Sequence, residues 1–174
     1  MRLQSKRRSP LGLVVRGVAA AAIGTVAMDA AMYLQYRRGG GTQSALAWEF
    51  SEGLDSWEKA PAPAHVGKRI VECVFQRELP ASRARLMNNV MHWVYGTSSG
   101  VVLGIVAGST RAPRPLLGAL HGAGVWSSGY VVLGAMGLYK PIWQYPVPVL
   151  AKDLANHLVF GTSAGIAFAL LEKV

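Results

Sequence analysis

One short pattern is written twice in this chain, and it restricts the fold more than any other feature. His92-Trp-Val-Tyr-Gly96-Thr97-Ser98-Ser-Gly100 returns 65 residues later as His157-Leu-Val-Phe-Gly161-Thr162-Ser163-Ala-Gly165. Each copy sets a histidine and two glycines at four-residue spacing inside an apolar run of about twenty residues, the length of a membrane-crossing helix. Four-residue spacing gathers the histidine and the glycines on one helix face. In lipid, a face of small residues packs closely on another helix, and a polar group on it finds its partner across that contact. The pattern therefore predicts an all-α integral membrane four-helix bundle with a shared polar layer.

Composition agrees with that reading. Of 174 residues, 51% are apolar and 20 are glycine, and the charges fall mostly between the apolar runs. A soluble fold would intersperse them. The net charge of +9 invites comparison with nucleic-acid proteins. The basic residues, however, lie beside the apolar runs or are mixed with acids, and no nucleic-acid-binding fold is recognisable, so the expected partners are membrane lipids and not nucleic acid. A single cysteine, Cys73, excludes an intrachain disulfide and any CxxC motif; it is expected to be a packed, inert thiol.

Four spans are expected, at 11–34, 87–108, 116–138 and 149–171. The first follows Arg2, Lys6, Arg7 and Arg8 and contains Arg16, whose stem reaches back to the headgroups. It is too long for a signal-peptide core and reads as a retained helix. Along it Gly17, Ala21, Thr25 and Asp29 share one face, with Gly24 as a further small packing position. Residues 36–86 are too charged to span. Two amphipathic stretches, one with Leu46, Phe50, Leu54 and Trp57 on a face and one with Val66, Ile70, Val74 and Phe75, predict short helices that lie at the interface or form a cap. The basic tail and the acid-free Arg111/Arg114 turn predict both termini in the cytoplasm of a bacterial inner membrane. Spans 2 and 4 then enter from the same side, as in a parallel duplication of a two-helix unit.

A rise of 1.5 Å per residue places Asp29, His92 and His157 about 7 to 10 Å below the same outer surface. Asn88 and Asp153 stand one turn above the two histidines, where they can orient the rings. This layer of Asp29, His92, His157, Asp153 and Asn88 reads first as structural, holding the helices in register by hydrogen bonds. A second reading is proton or cation handling, with Thr97, Ser98, His121, Ser128, Thr162 and Ser163 as an inward path, because an intramembrane carboxylate beside histidines exchanges protons near neutral pH. A third is a metal site of His92, His157 and Asp29, or a haem held between His92 and His157. No nucleophile elbow, P-loop or dinucleotide fingerprint is present, so no catalytic residue is assigned.

Close packing is assigned to Gly17, Gly24, Gly96, Gly100, Gly104, Gly161 and Gly165. Gly104 and Gly108 are expected to serve an outer contact in a homo-oligomer or larger complex. The segments Gly24-Thr25-Val-Ala-Met28-Asp29 and His92-Trp93-Val-Tyr95-Gly96 resemble a bacterial family of small, largely uncharacterised inner-membrane proteins. The resemblance covers most of the chain and implies that Asp29, His92, Gly96 and Gly100 matter. It supplies no substrate.

Overall fold

The computed structural model describes residues 9–50 and 56–173. The basic tail before Ser9, and Leu54 of the first amphipathic stretch, lie outside the described residues. The helices are α1 (Pro10–Arg38), α2 (Ala45–Phe50), α3 (Ala62–Phe75), α4 (Ala84–Ser109), α5 (Arg114–Ala135) and α6 (Val147–Leu171). Four of them, α1, α4, α5 and α6, are long and apolar enough to cross a membrane.

Their ends follow from local chemistry. Proline occupies the first turn of α1, α3, α5 and α6, where its missing N–H leaves no bond unmade. The Ser9 hydroxyl accepts a hydrogen bond from the Gly12 amide at 3.1 Å and caps α1. Both α1 and α5 stop on a glycine with positive φ, Gly40 at 92° and Gly137 at 70°. In each case two amides turn back onto the last carbonyls, Gly40 to Arg37 and Gly41 to Tyr36, and Gly137 to Gly134 and Leu138 to Leu133. This ends α5 at Ala135, short of the expected residue 138: the run Leu133–Leu138 is apolar throughout, but its glycine turns the chain.

The bundle is organised around α1, which packs on α4 on one side and α6 on the other, while α6 also packs on α5. The crossings are glycine against backbone. A methyl group at Gly17 would overlap the Gly100 carbonyl, one at Gly24 the Phe160 carbonyl, and one at Gly96 the Thr25 hydroxyl. Gly118 and Gly122 meet Gly161, Gly165 and the His157 carbonyl in the same way. All seven glycines assigned to packing thus sit at helix crossings. Gly104 and Gly108, expected on an outer face, instead meet the backbone and side chain of Leu13 within the α1–α4 contact. That contact runs along α4 from His92 to Gly108.

Ala20, Ala21, Leu103, Ala107, Ala164 and Phe168 are almost wholly enclosed. Large apolar side chains remain exposed along every long helix, Val15 and Ile23, Val102 and Ile105, Leu120 and Val131, Ile166 and Leu170 among them. Alanines and glycines at the helix contacts and large apolar side chains on the outside is the distribution a lipid environment selects. At the end where α1 begins, Arg16 Nε donates to the Leu171 carbonyl at 3.0 Å, and Arg114 forms a two-pronged bond to Glu172 at 2.8 and 2.9 Å.

Residues 36–50 and 56–86 dock on the opposite end of the bundle. Trp48 of α2 packs against Tyr33 and Tyr36 of α1, and the Trp48 and Glu49 carbonyls accept from Arg85 and Asn89 of α4. Helix α3 buries Ala62, Ala64 and Gly67, the last against Met87 and Met91. The apolar face of Ile70, Val74 and Phe75 is exposed, while the small residues make the close approach to α4. Arg69 reaches the Met136 carbonyl at 3.0 Å, so the cap bridges to the end of α5. Cys73 is exposed rather than packed.

Candidate functional site

The residues of the expected polar layer fall into two nodes. In the first, His92 Nε2 lies 2.9 Å from Asp29 Oδ1, joining α4 to α1 with the two side chains 26% and 17% exposed. The small faces that carry Gly96 and Thr25 bring the helices close enough for this bond. In the second, His157 Nδ1 is 2.9 Å from the Asp153 carbonyl and 3.4 Å from its carboxylate. Tyr130 of α5 donates to Asp153 Oδ2 at 3.0 Å, within a cluster of the Trp126, Tyr130, Tyr139 and Tyr145 rings. Helix α6 meets α1 on a different face from the one α4 uses, and His157 pairs within α6. Among the described residues no group of three His, Cys, Asp or Glu side chains could hold a metal ion, so His92, His157 and Asp29 do not converge as a ligand set.

Asn88 does not orient His92; its amide donates to Asn89 at 3.3 Å. Asn89 is the buried one, and it holds the Glu49 carbonyl. Asn156, also buried, accepts from Gln35 at 2.7 Å and ties α6 to α1. Neither asparagine stands four residues before a histidine, and an isolated amide in an apolar helix is a weak sequence signal.

Glu49 is the residue that sequence reasoning did not single out. It belongs to the cap, yet burial and the neighbouring Asp29 carboxylate push its carboxyl above the ordinary value of 4.5, outweighing the pull of His92, Arg85 and Trp93. Two carboxyls and an imidazole thus share the cap-side mouth of the α1–α4 crossing. The sign of the resulting pH dependence follows from linkage. Docking α2 raises the Glu49 pKa, so the docked form binds the proton more tightly; docking is strongest below pH 4.5 and weakens as pH rises through the raised value. Amide exchange at residues 45–50, corrected for intrinsic rate, is expected to speed up over that interval and to lose the dependence in Glu49→Gln. A cap whose exchange is indifferent to pH in the wild type would refute the linkage. Tyr139, in the connection after α5, is pushed up to about 12 by burial and then by Asp153 and Tyr145, and stays protonated.

The proposed inward path divides. Thr97 turns its hydroxyl to the Trp93 carbonyl of its own helix. Ser98, His121 and Ser128 instead line a cleft of about 540 Å³ between α4 and α5, two helices that touch little elsewhere. Thr162 and Ser163, half-buried on α6, are not among its lining residues. Across the cleft Tyr95 and Ser128 hydroxyls are 2.6 Å apart, and Ser99 Oγ lies 3.1 Å from His121 Nε2. Comparison with protein-family models, with curated proteins and with solved structures returns no match.

Proposed function

We propose that this chain is an integral membrane protein of the bacterial cytoplasmic membrane, both termini cytoplasmic, whose polar nodes hold the helices and their cap in register. The observation that carries the reading is the 2.9 Å bond between Asp29 and His92 across a glycine-lined crossing. A bond between partners 63 residues apart in the chain fixes which helix faces meet. An intramembrane carboxylate without such a partner is costly, so each residue explains the other. The resemblance to small bacterial inner-membrane proteins favours the same location. Reporter fusions after residues 8, 60, 112 and 174 test the topology. The expected order is inside, outside, inside, inside, and an external C-terminus would overturn it.

A parallel duplication of the α1–α4 pair as α5–α6 is part of this proposal. Gly100 meets the Gly17 carbonyl as Gly165 meets that of Arg114, and Gly96 meets Thr25 as Gly161 meets Gly122. One register therefore relates both crossings, and under it Asp29 corresponds to Trp126, so the Asp29–His92 bond has no copy in the second pair.

Proton exchange is the second reading, favoured by the raised Glu49 carboxyl beside Asp29 and His92. Vesicles containing the full chain and an entrapped pH dye separate the two. The structural reading expects acidification after a pH jump to match that of protein-free vesicles; faster acidification abolished by Asp29→Asn would replace it with proton handling. A metal or haem function would need ligands from elsewhere, since the two histidines belong to separate nodes.

A further inference from the structure

The register that relates the two helix pairs calls for a further close crossing, which α4 and α5 do not make. Helix α6 closes on α1 where Phe160 and Ala164 meet Gly24. Under the same register the α4–α5 positions are Tyr95, Ser99 and His121, so no glycine stands where α6 reaches α1. The two helices touch little, and a cleft of about 540 Å³ lies between them. Its size falls in the ordinary range of small-molecule sites.

What the cleft offers an occupant is hydrocarbon. Ser98, Ser99 and Ser128 donate to the Tyr95, Gly96 and Val125 carbonyls of their own helices. The Ser128 oxygen then accepts from Tyr95, and the Ser99 oxygen from His121 Nε2, so no hydroxyl proton is left for a ligand. The described lining residues include no Asp, Glu, Lys or Arg, and a charged group inside would lack a counterion. Val102, Val106 and Leu120 are exposed along its edge, so it opens toward lipid.

Length and position select a lipid chain over a helix. The lining runs from Tyr95 to Val106 on α4 and from Leu117 to Ser128 on α5, in each case about 16 Å along the axis. That is close to the depth of one leaflet in a hydrocarbon core about 30 Å thick. One end lies near mid-helix at the Tyr95–Ser128 bond, and the other within a turn of the connection between α4 and α5. A helix laid between α4 and α5 would have to break the Tyr95–Ser128 and Ser99–His121 bonds that cross from one to the other; a flexible chain passes beside them. Arg111 stands exposed in the connection, and among the described residues it has no ion pair or side-chain hydrogen bond. Arg114 is already committed to Glu172. A free guanidinium at the mouth of an uncharged cleft one leaflet deep is complementary to a phosphate carrying an acyl chain. Granted the membrane reading above, on which this rests, we infer that the α4–α5 cleft seats one acyl chain of an anionic phospholipid from the leaflet on the Arg111 side, its phosphate meeting Arg111.

The test uses the full chain, delipidated in detergent, with dioleoylphosphatidylglycerol as the probe and bound lipid counted by native mass spectrometry. Wild type is expected to retain one lipid per chain. Gly124 lines the cleft, and a side chain there meets open space rather than backbone, so Gly124→Leu is expected to melt as wild type and to bind at least tenfold more weakly. Gly129→Leu, also in open space but outside the lining, is expected to bind as wild type. Arg111→Gln, at an exposed position, is expected to weaken binding at least fivefold. Glycerophosphoglycerol, the headgroup without chains, is expected to compete poorly. No retained lipid, undiminished binding in folded Gly124→Leu or in Arg111→Gln, an equal loss in Gly129→Leu, or full competition by the headgroup alone would each overturn the assignment. The membrane reading fails separately, if alkaline carbonate releases the wild-type chain from membranes.

Discussion

Gly17→Leu and Gly161→Leu are expected to unfold the bundle, with Gly100→Leu and Gly165→Leu close behind. A β-carbon at Gly17 lands on the Gly100 carbonyl and beside the Gly104 backbone, and one at Gly161 on the Gly118 carbonyl and the Gly122 backbone. Overpacking a core costs about 1–3 kcal/mol when side chains can rotate aside. Here the obstructing atoms are main chain on a rigid helix, so relief requires separating the helices along the whole crossing. We expect a loss of about 3 kcal/mol or more, at the upper end of that range. Gly129 and Gly134 provide the internal comparison, because a side chain at either meets nothing within 4 Å; leucine there is expected to stay within about 0.5 kcal/mol of wild type. Melting of all six variants in one detergent measures the gap. Equal midpoints for crossing and open-space variants would refute the packing scheme.

What the sequence revealed, and what it hid, follows from how each signal is encoded. Spans and glycine faces are periodic, so four helices and seven packing glycines were legible to within a few residues. The Asp29–His92 bond was legible too, because depth along a helix follows from residue count and the two residues arrive at one level from opposite directions. Azimuth is not encoded in that count. His157 reaches a similar depth but pairs with Asp153 of its own helix, which Tyr130 of α5 holds, and α6 uses one face for α1 and another for Gly118 and Gly122. The single-layer picture failed for that reason. Glu49 and Asn89 were hidden because their contacts depend on how the cap folds back, which short amphipathic patterns do not specify. In α3 the apolar spacing marked Ile70, Val74 and Phe75, which are exposed, and left unmarked Ala62, Ala64 and Gly67, which are buried.

The polar nodes differ in what they connect, and a pair of double-mutant cycles exploits that difference. Asp29 and His92 join two helices, so removing either leaves a polar partner between α1 and α4. We expect Asp29→Ala and His92→Ala to couple by about 1–2 kcal/mol, the upper part of the range for hydrogen bonds between membrane helices. Asp153 and His157 sit one turn apart on α6, and the ring's nearest partner is a carbonyl of its own helix. Their coupling is expected to be about 0.3–0.5 kcal/mol, typical of pairs at that spacing. Denaturant titration of the four proteins in each cycle yields both numbers. Coupling of only a few tenths at Asp29/His92 would remove the structural role, because a bond that fixes helix register cannot be energetically silent. It would also move the proton reading forward, since a carboxylate and imidazole kept together under the Glu49 carboxyl without contributing to stability would need another reason to be there. Strong coupling at Asp153/His157 would instead mean that Tyr130, which bonds Asp153 from α5 at 3.0 Å, transmits the pair's effect between helices, and a triple variant with Tyr130→Phe is expected to abolish it.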